Sequence, residues 1–194
     1  TLFTMGWGTI DAYRMSADAP AEPIGQLSLA GLGADYGSGM YYLPEDDSGA
    51  PLLVAVGGEA AYRWVDLMVD PWYWSETSRV ALVDVSDPGA MTVADGFTVS
   101  GTLTHSRRIG DRLLLVTRHT PDPAGLLPNS ADGEDQQTNA ELIAALDVND
   151  VLPTITLGDG STEPLVTVEN CLLPANRDAE DAVYLPITTI SWID

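Results

Sequence analysis

Apart from carboxylates, this 194-residue chain has little to do chemistry with: two histidines, His105 and His119, one cysteine, Cys171, and no lysine. A nucleophilic triad needs Ser or Cys, a His and an orienting acid brought together. His105 and Ser106 are neighbours in a run that reads as extended, and adjacent strand residues point to opposite faces, so they cannot form a dyad with each other. His119 follows a strand end at Thr117-Arg118 and reads as a loop residue. Cys171, in the apolar run Cys171-Leu172-Leu173, reads as a small buried hydrophobe; being single, it forms no intrachain disulfide and leaves the redox compartment open. Two His and one Cys disfavour a zinc site of the usual kind, although carboxylates can substitute. Gly57-Gly58 and Gly158-Asp159-Gly160 lack both the spacing and the Lys of a phosphate loop. Among 29 acids there are always pairs at distances workable for glycoside hydrolysis, so a carboxylate-dependent hydrolase is the catalytic alternative.

The acids divide into 20 Asp and 9 Glu, and the Asp cluster with Gly, Pro, Ser and Asn, as in Asp46-Asp47-Ser48-Gly49 and Ala131-Asp132-Gly133-Glu134-Asp135. That is turn chemistry, because an Asp side chain can accept from the backbone two residues on. The other use of such clusters is calcium, a hard cation suited to carboxylates and carbonyls; the turn reading is preferred, and no metal or cofactor is required. Against 29 acids stand eight Arg, for a net charge of −21. This field repels a phosphate backbone, which argues against nucleic acid, and it disfavours an anionic membrane surface. It also fits a saline habitat.

A 45% apolar composition and a mean hydropathy of +0.04 describe a folding chain of about one domain's length. The longest apolar stretches, such as Leu52 to Val56, are far shorter than the ~20 residues of a membrane span, so no transmembrane segment is expected. Strand signals dominate. Val80 to Val85 is a β-rich run stopped by Ser86-Asp87-Pro88-Gly89. Met91 to Val93 and Phe97 to Val99 read as extended runs around a tight turn at Asp95-Gly96. Arg107-Arg108-Ile109 meets the hairpin signal Gly110-Asp111, and Arg112 to Arg118 reads as a strand buried on both faces. Together these make one four-stranded antiparallel unit.

The unit recurs weakly. Ile10 to Ser16, Val80 to Ser86 and Ile143 to Asn149 align as strand-then-turn segments, at intervals that fit one propeller blade of about 40 to 45 residues plus an insertion. Residues 138–146 alone read equally well as a helix, with Thr138 as N-cap and Glu141 in the first turn; the repeat makes Leu142 to Val148 a strand, and that reading is preferred. The expected fold is all-β, a β-propeller of four-stranded antiparallel blades, partial at three to four blades. It forms a single domain, or a fragment of one, over residues 1–194, with insertions at about 59–78 and 120–138. Thr1 to Thr4 and Ile187 to Asp194 look like strands cut near the ends. Remaining blades or a neighbouring chain would complete the ring. Thr1 follows no charged-then-apolar leader, so an excised piece of a longer protein is expected.

From about Arg79 onward the chain resembles the bacterial family of secreted proteins with a C-terminal β-propeller domain, distantly related to WD-type repeats. The matching words are Val83-Asp84-Val85-Ser86-Asp87-Pro88, Ser106 to Leu113 with Val116-Thr117, Val151 to Thr154, Pro164 to Val166, and Leu185 to Ile193. The resemblance implies a fold and an extracytoplasmic address (secreted, periplasmic or surface-anchored), and it carries over no catalytic motif. Asp84, Asp87, Pro88, Ser106, Arg107, Arg108, Gly110 and Asp111 match the family pattern and read as structural, with Arg107 in an ion pair.

The 59–78 insertion holds Tyr62, Arg63, Trp64, Asp66, Trp72, Tyr73 and Trp74. Loops held by a rigid scaffold concentrate binding residues, so these are the candidate contact residues for a protein or glycan of the cell envelope; the competing reading folds the rings back onto the core. The expected function is an extracytoplasmic, non-catalytic binding or scaffold module of unknown ligand.

Overall fold

A computed structural model of the chain describes residues 1–30, 36–44, 49–58, 77–110, 112–121, 133–172 and 187–193. In chain order the strands are β1 (Leu2–Met5), β2 (Thr9–Arg14), β3 (Glu22–Ser28), β4 (Tyr36–Leu43), β5 (Leu52–Gly58), β6 (Thr77–Asp84) and β7 (Thr92–Ser100). There follow β8 (Thr102–Ile109), β9 (Arg112–His119), a helix α1 (Gly133–Ala145), β10 (Thr154–Thr156), β11 (Thr162–Pro164) and β12 (Ile187–Ile193). Every pairing is antiparallel. The first sheet is β1-β2-β3, the second β11-β10-β7-β6-β5-β4, and the third β12-β9-β8. Within the second, β4 to β7 form a continuous four-stranded meander.

The three sheets stack face to face through two cores. Ile10, Ala12 and Leu29 meet Leu53, Ala55, Ala81 and Val83 between the first and second sheets. Val54, Val56 and Val80, on the opposite face of the same strands, meet Leu113 and Leu115 of the third sheet. This explains β5: a strand covered on both faces needs apolar side chains at successive positions, and Leu53 to Gly58 are all buried.

Three local expectations change. The four-stranded unit expected over residues 80–118 is split: β6 and β7 belong to the second sheet, and after Gly101 the chain crosses to the third with β8 and β9. The meander that does form, β4 to β7, begins upstream. The turn expected at Asp95-Gly96 is absent, because β7 runs straight through it with a bulge between its partners Leu82 and Val83. Gly96 is required there for close approach: a Cβ on it would stand 2.7 Å from the Val80 carbonyl oxygen. Arg112 to Arg118 is not buried on both faces, since Leu113, Leu115 and Thr117 are buried while Leu114 and Val116 are half-buried and both arginines exposed.

Leu142 to Val148, expected as a strand, is the end of α1 and the turn after it. Local hydrogen bonding decides this. Ala, Leu, Gln and Glu favour the helix, Gln137 Nε2 donates to Glu141 Oε1 one turn on (3.0 Å), and the segment needs no ladder partner. Then Asp147 caps a short 3-10 turn: its carboxylate accepts from the Asn149 amide (2.8 Å), and Asp150 accepts from the Asp147 amide (3.1 Å). Part of the 120–138 insertion, residues 133–138, is likewise helix rather than loop, while 122–132 lie outside the described residues.

Of the three similar segments, those at Asp84 and Asp147 share a turn, whereas Ile10 to Ser16 carries Arg14 at that place and contributes strand β2. Asp84 Oδ1 accepts from the Ser86 amide (2.8 Å), Asp87 from Gly89 (2.9 Å), Asp147 from Asn149 (2.8 Å) and Asp159 from Ser161 (2.8 Å). Each is an Asp bonded to the backbone two residues on, the use of Asp that its clustering with Gly, Ser and Asn implies.

Candidate functional site

Residues 59–76 of the aromatic insertion lie outside the described residues, and with them Tyr62, Arg63, Trp64, Asp66, Trp72, Tyr73 and Trp74, while Thr77 and Ser78 begin β6; Asp111 lies outside as well. The other motif residues build the scaffold around two surfaces.

Asp84, Asp87 and Pro88 shape the exit from β6. The Ser86 hydroxyl and amide both donate to Asp84 Oδ1 (2.7 and 2.8 Å), and they hold its carboxyl below the usual range, the hydroxyl contributing most. Ala90 N donates to the Asp87 carbonyl (2.9 Å) and Val85 N to the Pro51 carbonyl (3.0 Å), closing the turn and tying it to β5. The Pro88 carbonyl lies against Gly25 of β3, where any Cβ would overlap it. The motif therefore clamps the first sheet to the second.

This turn forms one wall of a cleft of about 520 Å³, lined by Leu2 and Phe3 of β1, Met40 and Tyr42 of β4, and Val85 and Pro88. Leu2 and Tyr42 are 43% and 49% exposed. The opening combines apolar and aromatic side chains with a comparable share of polar surface, Thr1 among its lining residues.

Ser106, Arg107 and Arg108 show the alternation of β8. Ser106 turns inward and shares a 2.8 Å hydrogen bond with the Tyr41 hydroxyl. Arg108 Nη1 donates to the Tyr42 carbonyl and its Nε to the Gly110 carbonyl, each at 2.7 Å, so it pins the third sheet to β4 and closes the hairpin. Gly110, at φ +68°, supplies the left-handed turn residue. Arg107 points outward and is exposed; the ion pair expected of it is not among those of the described residues, where the pair that forms joins Arg14 Nη1 and Glu22 Oε2 at 2.8 Å.

The outward face of the third sheet was not anticipated. Its register sets Leu114 beside Trp192, Val116 beside Ile190 and Arg118 beside Thr188, with Arg107 opposite Leu114 and His105 opposite Val116. Trp192 and Ile190 are 55% and 65% exposed. No Asp or Glu occurs in β8, β9 or β12, whereas four of the chain's eight arginines and both histidines do. The sequence signal was the alternation within each strand; the two halves are about 70 residues apart and meet only through the β9–β12 register.

Catalytic geometry follows the sequence expectation for the His-Ser pair: His105 faces outward and Ser106 inward. His119, expected in a loop, is instead the last residue of β9, half-buried on the opposite side of the strand from the exposed Arg118, and burial holds its imidazole below the ordinary value, partly offset by a hydrogen bond to the Val151 backbone. Cys171 is not buried; it is half-exposed after a 3-10 turn, its thiol donates to the Thr167 carbonyl (3.6 Å), and Leu172 beside it is 95% exposed. Asp84, Asp159 and Glu169 all have their carboxyls held below the usual range by hydrogen bonds, those of Ser86 and Ser161 side chains first for the two aspartates and the backbone amide of Glu169 first for the third. Among the described residues no three His, Cys, Asp or Glu side chains cluster with metal-binding geometry, and no helix is long and apolar enough to cross a membrane.

A family model described as a beta propeller domain matches residues 16–194. No curated protein and no solved structure matches the chain.

Proposed function

We propose that this chain, which belongs to the beta propeller domain family, is an extracytoplasmic, non-catalytic module that binds a protein or glycan of the cell envelope. Membership fixes the coarse part, an all-β propeller that serves binding or scaffolding. The stacked sheets, of three, six and three strands, are read as its blades, with the four-stranded β4 to β7 meander inside the second. Residues 1–194 are taken as one propeller domain or a fragment of one, and further blades of the same protein or a neighbouring chain complete the ring.

The observation that carries the binding reading is the cleft between β1, β4 and the Asp84–Pro88 turn. Its described walls join apolar and aromatic side chains to a comparable share of polar surface, and the described carboxylates with shifted ionisation, Asp84 at the cleft's own turn included, shift downward, away from a general acid's needs. The Trp-rich insertion at 59–78 is proposed as a second contact element of the same module. Calcium is not required by this reading.

The test immobilises the chain and measures retention of purified envelope glycan and of defined envelope proteins. Comparison with Leu2→Ser/Tyr42→Ser and with Trp72→Ala/Trp74→Ala variants assigns the surface. Loss of retention in either variant with an unchanged melting temperature supports the module. Hydrolysis of an envelope glycan by the purified chain, abolished by replacing one Asp or Glu, would instead establish the hydrolase.

A further inference from the structure

We propose that a pocket between Arg79 of β6 and Asp95 of β7 binds a small free α-amino acid, its carboxylate on the Arg79 guanidinium and its ammonium on Asp95. The site is separate from the cleft beside β1, and its ligand goes beyond the protein or glycan proposed for that cleft.

An arginine without a partner carries the argument. In a chain with 29 acids and eight arginines, the Arg79 side chain forms no ion pair or hydrogen bond with the described residues, and its Nε is buried without an acceptor. A buried donor on a charged group is costly to leave unsatisfied, and a ligand that supplies the acceptor removes the cost. Arg79 lines a cavity of about 220 Å³ with Ala81, Val93, Asp95, Gly96 and Gly158. The room depends on glycine, since a Cβ on Gly158 would stand 2.6 Å from Asp95 Oδ1. Ala81 and Val93 belong to the core shared with the first sheet. The pocket therefore lies on the face of the second sheet that the first already packs against, and completing the ring places no further blade over it.

Chemistry selects the ligand. A guanidinium presents Nε–H and Nη–H as parallel donors, the fork that matches a carboxylate. Across the pocket, the exposed Asp95 accepts from the Gly96 amide with Oδ1 (2.7 Å), and its other oxygen has no partner among the described residues. A simple anion would meet that carboxylate unfavourably and a phosphate dianion more so, whereas a zwitterion satisfies both charges. Arg79 is paired with Thr98, three residues along β7 from Asp95, so the two charges are rooted about 10 Å apart along the strands and form no ion pair with each other. An α-amino acid, with about 3 Å between its nitrogen and its carboxylate oxygens and a hydrogen bond of about 2.8 Å at each end, spans roughly 8.5 Å and bridges them. A peptide terminus carries only one of the two charges, so the ligand is a free amino acid. The cavity is smaller than the ~300–1,000 Å³ of sites for drug-sized ligands, and its apolar walls Ala81 and Val93 admit a short apolar side chain and exclude a long one.

The test titrates the whole chain with L-alanine by calorimetry or ligand-observed NMR, with propionate, ethylamine and inorganic phosphate as comparison probes at fixed ionic strength. The variants are Arg79→Met, which keeps an unbranched apolar stem, Asp95→Asn, which keeps an oxygen for the Gly96 amide, and Gly158→Ala, which narrows the cavity. Each is checked by thermal melting, and the exposed Asp95→Asn retains the fold even where Arg79→Met does not. The expected result is saturable binding of alanine, at least about tenfold tighter than that of propionate or ethylamine and weakened about tenfold or more by Arg79→Met and by Asp95→Asn. Gly158→Ala should weaken it as well, while Leu2→Ser/Tyr42→Ser leaves it unchanged. No saturable alanine binding by the native chain overturns the proposal. So does propionate or phosphate binding as tightly as alanine, or alanine binding indifferent to Asp95→Asn.

Discussion

Thr117 and Thr189 are directly opposite each other across β9 and β12, 1% and 4% exposed, and neither buried hydroxyl has a hydrogen-bond partner. A buried hydroxyl without a partner costs about 1–3 kcal/mol of desolvation, whereas a methyl in its place gains from burial. Thr117→Val and Thr189→Val should therefore each stabilise the fold by about 1 kcal/mol, and the double variant by about 2 kcal/mol if the sites are independent. For a chain of this length, 1 kcal/mol is about 2–4 °C in Tm. The alternative arrangement is one water bridging the pair, for which each single replacement strands the other hydroxyl and the water. Differential scanning calorimetry or urea melts on the two singles and the double form a complete cycle. Single variants that destabilise by more than about 1 kcal/mol, with the double recovering part of the loss, would refute independent unpaired hydroxyls and establish a buried water.

Gly25→Ala forces a Cβ into the Pro88 carbonyl, where backbone must move on both sides, and should cost about 2–3 kcal/mol in urea melts. The neighbouring arginines should separate: Arg108→Ala loses two hydrogen bonds to carbonyls and costs about 1–2 kcal/mol, while outward Arg107→Ala stays within about 0.5 kcal/mol. For His119 the folded state holds the ionisation below its ordinary value of 6.5, so the unfolded chain protonates first; its contribution is complete above that value and fades as pH falls through the lower folded one. Melts from pH 8 to pH 5 should lose stability more steeply in the native chain than in His119→Gln. Asp84 has the same sign in a lower window, below its ordinary value of 3.8, read as a reduced acid sensitivity of Asp84→Asn.

Legibility along this chain depended on how local each decision is. The exit of β6 was readable because an Asp, its partner two residues on, Pro and Gly determine a turn within six residues, and four Asp turns of this kind form among the described residues. The hairpin at Gly110 was readable for the same reason. β9 was misjudged because Leu113-Leu114-Leu115-Val116 is equally apolar at inward and outward positions, and only the cover on each face distinguishes them. Residues 142–148 form the end of a helix and a turn because Asp147-Val148-Asn149 shares the turn chemistry of Asp84-Val85-Ser86, and a shared turn does not bring a shared strand before it.

The sheet assignment of β8 was not local at all. Ser100-Gly101-Thr102 reads the same whether the next strand folds back on β7 or crosses to another sheet, and what decides it is the partner, since β9 and β12 offer β8 a sheet whose inner face can bury Leu103, Leu113, Leu115 and Ile193 against β5 and β6. The same partner choice creates the outward face. Arg107 and Arg118 on one hairpin are ordinary exposed charges until β12, from the far end of the sequence, lays Trp192 and Ile190 alongside Leu114 and Val116.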